Sequence, residues 1–294
     1  MGEVLDMKAI KKLLRAPPRG HWVGDGFPVR AIFSDMAFTQ EISPFLMFDY
    51  GGPHDFAPTE IQRGVGPHPH RGFETVTIAF QGEIEHADSV GNKDVIGPGD
   101  VQWMTAASGI IHEEMHSKKF SRQGGALEMA QLWVNLPAKS KMNPPHYQPI
   151  VSAKIPVHQL DADSGRVRVI AGNFSSTQGT ASTHTQINLW DMHIHAGKTI
   201  DFTVPAGHNT MLFVRTGKLV LNEETLGAAD LVIMELDGQH IQLRAMESCN
   251  LLLMGGEPIN EPIAARGPFV MNTDQEIRQA MMDYQSGKMG HMAG

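Results

Sequence analysis

The chain has 294 residues, of which 41% are hydrophobic and 19% are charged, and its formal net charge is −8 at pH 7. This composition is typical of an ordinary globular protein and argues against the disordered and fibrous classes. No apolar run approaches the roughly 18 residues of a membrane span, and the acidic charge argues against general binding to nucleic-acid phosphates. We therefore expect neither a membrane nor a nucleic acid as a direct partner.

The chain contains a single cysteine, Cys249, so an intramolecular disulfide is excluded. Unpaired thiols are typical of reducing compartments. The N-terminal segment lacks the uninterrupted apolar stretch of a secretory signal. We expect a cytoplasmic protein, or a nuclear one if the source is eukaryotic, and we expect a monomer.

Short segments rich in β-branched and aromatic residues alternate with glycine and proline, a pattern typical of an all-β sandwich or barrel. The strands predicted in the first half are Phe73 to Phe80, Gly82 to Asp88, Asp100 to Thr105 and Leu127 to Leu136. The strands predicted in the second half are Arg166 to Ala171, Ile187 to His195, Met211 to Arg215, Lys218 to Leu221, Leu231 to Leu236 and Cys249 to Met254. A proline-rich connection separates the two sets, so we predict two domains, residues 1–150 and 151–294.

The two halves also resemble each other. The segments "AFQGEIEHAD" from Ala79 and "VRTGKLVLNE" from Val214 both place a glycine at a hairpin between apolar strands. Each is followed by a turn that ends in aspartate, at Asp100 and at Asp230. This similarity indicates an internal duplication.

A helix is predicted near the end of the chain. Thr273 and Glu276 form a capping-box pattern. The apolar residues that follow have helical spacing, and they are Ile277, Ala280, Met281 and Tyr284. We expect this apolar stripe to dock on a barrel, and residues 287–294, which have little to bury, to fray.

Two pairs of metal-binding side chains have the i, i+2 spacing of a β-strand: His68 with His70, and His112 with Glu114. Successive side chains on a strand alternate between faces, so the two members of each pair project together. Glycine and proline flank the first pair and Ser108-Gly109 precedes the second, which indicates turns and a sheet edge, as at the mouth of a barrel. If the two strands face each other, they form a site of three histidines and one carboxylate.

His193 and His195 share this spacing, but no second ligand pair follows them at the distance of a hairpin. We interpret these two side chains as lying on one face of a strand without binding a metal.

The segments "HPHRGFE" from His68 and "ASGIIH" ending at His112 resemble the two motifs of the cupin superfamily. More specifically, "PHPHRGFETV", "GPGDVQWMTAASGIIHEEM" and "GPFVMNTDQEIRQAMMDY" resemble the pirin family, and the resemblance extends over most of the chain. It implies an all-β fold of two tandem cupin barrels, each a double-stranded β-helix or jelly roll, with a short C-terminal helix. It also implies one iron, as Fe2+ or Fe3+, in the N-terminal barrel, held by residues that match His68, His70, His112 and Glu114. By ligand chemistry alone, other divalent transition metals also suit this set.

The glutamate at position 74 is a second candidate ligand, because the matching residue in other cupins binds the metal. The resemblance to pirins favours Glu114, and we interpret Glu74 as a structural or supporting residue. The role of His116 stays open.

The duplication permits a test for a second site. Aligning the halves carries the four ligand positions onto residues that would not hold iron: Thr203, Pro205, Gln242 and Arg244. We therefore expect the C-terminal barrel to lack a metal site.

The resemblance implies two alternative functions. In a quercetin 2,3-dioxygenase, a flavonol and O2 would use the two open positions of the metal, and Glu114 would act catalytically by taking the substrate's hydroxyl proton. Trp103 and Met104 are candidates for an apolar pocket wall and equally for plain core. The alternative is a non-catalytic, redox-sensitive regulatory protein that binds a transcription factor or a metabolic enzyme. Both functions need the same ligands, so the sequence does not separate them.

Overall fold

The computed structural model describes residues 6–34 and 39–292. Its contacts divide the chain into two compact units, each assembled from separate stretches of sequence. The N-terminal barrel comprises Arg19–Met36, Phe45–Ser152 and Ile259–Gly294, and the C-terminal barrel comprises Met1–Pro18, Ala37–Pro44 and Ala153–Pro258. The longest stretch of the N-terminal barrel ends at Ser152 and that of the C-terminal barrel begins at Ala153, and each end of the chain belongs to the unit formed mainly by the other half. The division into domains 1–150 and 151–294 stays a prediction.

The structure is mostly β. The strands are β1 (Ile10–Leu14), β2 (His21–Val23), β3 (Phe27–Phe33), β4 (Phe45–Phe56), β5 (Gly64–His70), β6 (Phe73–Gln81), β7 (Ile84–Asp88), β8 (Lys93–Ile96), β9 (Val101–Thr105), β10 (Ile110–His116), β11 (Gly125–Asn135), β12 (His146–Ile150), β13 (Val157–Leu160), β14 (Gly165–Ala171), β15 (Asn173–Phe174), β16 (Thr177–Gln178), β17 (Ile187–Ile194), β18 (Thr199–Thr203), β19 (Asn209–Thr216), β20 (Leu219–Leu221), β21 (Glu224–Leu226), β22 (Leu231–Met234), β23 (His240–Ala245), β24 (Cys249–Gly256), β25 (Ala264–Arg266) and β26 (Phe269–Met271). The α-helices are α1 (Thr39–Ile42), α2 (Lys118–Gln123) and α3 (Asp274–Gln285). Every strand predicted from the sequence is present, with ends that shift by a few residues.

Each barrel consists of a seven-stranded and a four-stranded sheet. In the N-terminal barrel the strand orders are β12-β9-β6-β11-β4-β3-β2 and β5-β10-β7-β8. In the C-terminal barrel they are β1-β22-β19-β24-β17-β14-β13 and β18-β23-β20-β21. The all-β fold of two tandem cupin barrels is therefore confirmed.

The predicted turns recur at matching positions of the two barrels, in agreement with a duplication. Asp100 Oδ2 accepts a hydrogen bond of 2.9 Å from the Gly97 N–H. Asp230 Oδ2 accepts one of the same length from the Gly227 N–H. In both turns the aspartate side chain closes the loop, which is the usual role of aspartate in such turns.

The cores of the two barrels differ in polarity. The interior of the C-terminal barrel is filled by aliphatic and aromatic side chains from both of its sheets. In the N-terminal barrel a smaller apolar cluster, including Phe27, Ile84 and Phe120, occupies part of the interior. Other interior positions carry polar side chains, including His86, Gln102, His112 and Glu114, and these belong to the candidate site described below.

Helix α3 belongs to the N-terminal barrel and begins as predicted. Thr273 Oγ1 accepts a hydrogen bond from the Glu276 N–H, and Glu276 Oε2 accepts one from the Asn272 N–H. Ile277 and Ala280 are buried, as expected. The predicted burial of Tyr284 is wrong.

The reason is a charged contact on the inner face of the helix. Asp283 is buried there and its Oδ2 accepts a hydrogen bond of 2.9 Å from Arg71 Nη1. Hydrogen bonds from Lys288 and Arg71 hold the pKa of Asp283 at about 2. The helix therefore turns its carboxylate inward, and Tyr284 is left exposed.

The prediction that residues 287–294 fray is also wrong where the structure describes them. Met289 is buried against Gly109, which has a φ of 129° and no side chain in the way. Ser89 Oγ donates a hydrogen bond of 2.7 Å to the Met289 carbonyl. Residues 293 and 294 lie outside the described part of the chain.

Across residues 6–34 and 39–292, no helix combines the length and apolar character needed to cross a membrane.

Candidate metal centre

Strands β5 and β10 bring three of the four predicted ligands together. The two strands are antiparallel neighbours, with His68 opposite His112 and His70 opposite Ile110. One potential ligand atom from each of His68, His70 and His112 lies within 4.8 Å of the others. Among the described residues, this is the one such cluster of three or more histidine, cysteine or acidic side chains.

The histidine nitrogens are in a state that suits a metal ion. His70 Nδ1 and His112 Nε2 are buried and have no hydrogen-bond partner, which is costly unless another group uses them. His68 Nδ1 lies 2.9 Å from the Gly66 carbonyl, which leaves its other nitrogen for a ligand.

Burial also favours the neutral form of two of these rings, those of His70 and His112. It lowers the pKa of His70 to about 3, with a further contribution from His68, and it holds the pKa of His112 well below its ordinary value. Neutral imidazoles offer a lone pair, so the residues present fit a transition-metal ion.

Glu114 lies inside the barrel, on the same face of β10 as His112, but it is not part of the histidine cluster. Its Oε1 accepts a hydrogen bond of 2.9 Å from Thr77 Oγ1. Its Oε2 accepts one of 2.8 Å from Gln131 Nε2, and Gln102 Nε2 lies 3.5 Å from Oε1. The structure thus holds this carboxylate beside the cluster through side chains of the facing sheet.

Glu74 points away from the cluster. It alternates on β6 with Thr75 and Thr77, and Thr77 faces Glu114, so Glu74 lies on the opposite face of the strand. Its Oε1 accepts a hydrogen bond of 2.6 Å from Thr105 Oγ1. Burial raises the pKa of Glu74 to about 7. This position agrees with a structural role.

Three further polar residues adjoin the cluster and were missed by the sequence reasoning. His86 Nε2 donates a hydrogen bond of 3.1 Å to Asp88 Oδ2. Its Nδ1 lies 3.1 Å from Gln102 Nε2 and 3.5 Å from His112 Nδ1. His86 and Asp88 have the same i, i+2 spacing as His68 and His70, so a signal was present in the sequence.

The two candidates for a pocket wall lie on opposite faces of β9. Met104 packs against Ala106, Ile110 and Tyr147 on the interior side. Trp103 is fully buried on the face that it shares with Thr105, the partner of Glu74. The suggested pocket role of Trp103 is therefore wrong, because side chains alternate along the strand.

The apolar surface next to the histidines comes instead from Trp133. Its ring centroid lies 5.3 Å from that of His70 and 4.3 Å from that of Phe73. Trp133 is half-buried.

The other histidines singled out from the sequence lie elsewhere. His116 Nε2 donates to the Gly26 carbonyl at 2.8 Å, and the ring packs edge-on against Phe27, Phe56 and Phe120. His193 Nδ1 lies 2.9 Å from Asn250 Oδ1. Neither it nor His195 belongs to the cluster.

The C-terminal barrel presents apolar side chains where the N-terminal barrel presents ligands. The aligned residues Thr203, Gln242 and Arg244 are exposed, because the interior positions of β18 and β23 lie one residue away. A shift of one residue exchanges the two faces of a strand. The inward residues are Ile200, Phe202, Ile241 and Leu243.

Comparisons with known proteins connect this architecture to a family. Residues 26–134 match the family model described as Pirin, and residues 189–290 match that of the Pirin C-terminal cupin domain. A Pseudomonas aeruginosa protein provisionally named a quercetin 2,3-dioxygenase is 52% identical, over 91% of this chain and 94% of its own length. A pirin-like protein of Solanum lycopersicum is 36% identical, over 96% of this chain and 92% of its own.

Solved structures agree with this assignment. The crystal structure of a quercetin 2,3-dioxygenase from Acinetobacter baumannii has a TM-score of 0.94 and 47% identity, and the match covers 97% of this chain and 99% of that one. The Escherichia coli pirin YhhW in complex with nickel(II) shares the fold, with a TM-score of 0.66 and 21% identity over 84% of this chain and 99% of its own. The matched models, the relatives and the fold together show that this chain belongs to the pirin family.

Proposed function

We propose that the N-terminal barrel binds one iron ion and that this centre catalyses the oxygenative ring opening of quercetin or a similar flavonol. The observation that carries the proposal is the cluster of three histidines, in which buried nitrogens of His70 and His112 have no hydrogen-bond partner. The chain's 47% identity to a quercetin 2,3-dioxygenase of Acinetobacter baumannii supports the choice of reaction.

In this proposal His68, His70 and His112 hold the metal and Glu114 is the fourth ligand. Iron suits this mixture of imidazole and carboxylate, although nickel and other divalent ions suit it too. When bound, the metal supplies a centre that brings the flavonol and O2 together for the redox chemistry. The pairing of histidines with a carboxylate and open positions is typical of catalytic rather than structural sites.

The protein's own residues would prepare the substrate. Glu114 accepts the proton of the flavonol hydroxyl group, and the resulting anion is the more reactive form. Thr77 and Gln131 fix the carboxylate through bonds of 2.9 and 2.8 Å, so that it does not need to reorganise during the transfer. Trp133, half-buried beside His70, offers an aromatic face for the planar ring system.

The test has a metal arm and a reaction arm. Purified protein is reconstituted anaerobically with Fe2+, and the bound iron is quantified by elemental analysis and by chelator competition. Quercetin and O2 are then added, and the ring-opened product is measured by mass spectrometry. We expect one iron per chain and a product that requires O2.

The chain offers a matched control for the ligand assignment. His70→Ala should lose both iron and product, whereas His193→Ala, which alters the other HxH pair, should retain both. Glu114→Gln should lose product and weaken iron binding. The absence of ring-opened product above the level of His70→Ala would overturn the proposed reaction, and equal iron binding by all variants would overturn the ligand set.

A further inference from the structure

We propose that His86 and Asp88 form a relay behind His112 that fixes the tautomer and orientation of this ligand and thereby sets the affinity and reduction potential of the bound metal. The inference rests on the proposed metal site. Its subject is a pair of residues that do not themselves touch the metal. They are therefore positioning residues rather than catalytic ones.

The relay begins at the aspartate, which is held by four hydrogen bonds. Asp88 Oδ1 accepts from the backbone N–H groups of Val90 and Asn92, at 3.1 and 2.9 Å. Its Oδ2 accepts from Asn92 Nδ2 at 2.8 Å and from His86 Nε2 at 3.1 Å. Since an ionised carboxylate only accepts, this arrangement requires the proton of His86 to be on Nε2.

That tautomer leaves His86 Nδ1 as an acceptor. Two donors face it: Gln102 Nε2 at 3.1 Å and His112 Nδ1 at 3.5 Å. With its proton on Nδ1, His112 presents the lone pair of Nε2, the buried nitrogen that has no partner within the protein. Gln102 and His112 share the single lone pair of His86 Nδ1, and the longer contact, from His112, is the weaker of the two.

The surroundings restrict movement of the relay. His86 and His112 are fully buried, and the ring of Tyr147 stacks on that of His86 at a centroid distance of 4.7 Å and an angle of 14°. Gln102 also approaches Glu114, so the same amide braces both a histidine ligand and the carboxylate. Partners of this kind orient metal-binding histidines and make them stronger donors.

Two substitutions test the relay in different ways. His86→Phe keeps an aromatic ring to stack on Tyr147 but removes both nitrogens. In Asp88→Asn, one side-chain oxygen is replaced by an NH2 group, which cannot accept a hydrogen bond. If this NH2 group faces the two backbone N–H groups, donor meets donor there. If it faces His86, the proton of His86 must move to Nδ1, where it opposes the donors on Gln102 and His112.

The matched controls leave the relay intact or restore it. Tyr147→Phe removes only a hydroxyl group that lies 3.4 Å from Asp94 Oδ2. Asp88→Glu restores a carboxylate. Circular dichroism and thermal melting establish that each variant is folded.

The readouts are iron affinity by chelator competition, reduction potential by spectroelectrochemical titration, and the electron paramagnetic resonance spectrum of the ferric protein. We expect His86→Phe and Asp88→Asn to weaken iron binding by about 10- to 100-fold and to shift the potential to more positive values, since a poorer donor stabilises the ferric state less. Tyr147→Phe should match the wild type, and Asp88→Glu should recover part of the affinity.

Failure of the relay differs from failure of the proposed function. If the wild-type protein binds no iron, the centre itself is refuted. If it binds iron, but folded His86→Phe has wild-type affinity, potential and spectrum, only the relay is refuted. Should Asp88→Asn not fold, His86→Phe decides the question alone.

Discussion

Replacing Glu74 by glutamine separates the two roles that a glutamate can have at this position, metal ligand or buried structural group. Burial raises the pKa of Glu74 from 4.5 to about 7. At about 1.4 kcal/mol for each pH unit, this difference corresponds to about 3 kcal/mol of unfolding free energy. Glutamine retains the oxygen that accepts from Thr105 but carries no charge.

The direction in which pH changes the stability follows from which state of the chain holds the Glu74 proton. Between about pH 4.5 and 7 the folded protein keeps the Glu74 proton that the unfolded chain releases, so rising pH lowers wild-type stability through this window. Above pH 7 Glu74 is ionised in both states, so the full free-energy cost of burying its charge lowers the stability of the wild type. Glu74→Gln should therefore have nearly wild-type stability at pH 4.5 and exceed it by up to about 3 kcal/mol at pH 8.5.

Urea denaturation at several pH values measures this difference, and iron binding is measured on the same samples. Because Glu74 faces away from the histidines, Glu74→Gln should bind iron like the wild type, whereas Glu114→Gln should not. A stability difference that does not change with pH would contradict the burial argument. Loss of iron from Glu74→Gln would show that this glutamate, rather than Glu114, serves the metal.

Two further predictions concern buried charges of the N-terminal barrel. Lys141 Nζ donates to the carbonyls of Gly72 and Val270 and to Asn135 Oδ1, at 2.6, 2.9 and 2.6 Å. Lys141→Met leaves these buried acceptors without a donor and should lower the unfolding free energy by about 3 kcal/mol or more. A loss below about 1 kcal/mol in urea denaturation would contradict this role. Asp49 is buried, with an Oδ1 atom that has no partner, and burial raises its pKa from 3.8 to about 6, against an opposing contribution from His21. Asp49→Asn should therefore stabilise the fold by up to about 3 kcal/mol above pH 6 and little near pH 4. Equal shifts in the melting temperature of the variant at both pH values would refute the raised pKa of Asp49.

The strands and the histidine cluster could be predicted because both follow from the period of two along a strand. His68, His70 and His112 are brought together by backbone pairing alone, and any antiparallel partner strand at the correct register would do so. The same reasoning identified Glu114 as an interior residue. It could not reveal that Thr77 and Gln131 hold the carboxylate, since those bonds come from the facing sheet.

The remaining differences arise from tertiary contacts that leave weak signals in the sequence. Asp283 takes the inward position expected for an apolar residue because Arg71, on the strand connection after His70, supplies a charge. The side chain of Met289 packs into the space left by the missing side chain of Gly109. The alignment of the two halves carried the ligand positions onto exposed residues, whereas the interior positions of β18 and β23 lie one residue away.

The assignment of the chain's last segment to the N-terminal barrel has a consequence for synthesis. Arg71 and Lys141 find their partners at Asp283 and Val270, which the ribosome adds more than 120 residues after Lys141. A nascent chain that has produced every histidine of the cluster still lacks the helix and strand that complete the surrounding unit. Completion of this unit therefore depends on residues 259–285, and a fragment that ends near residue 150 would lack these partners of Arg71 and Lys141.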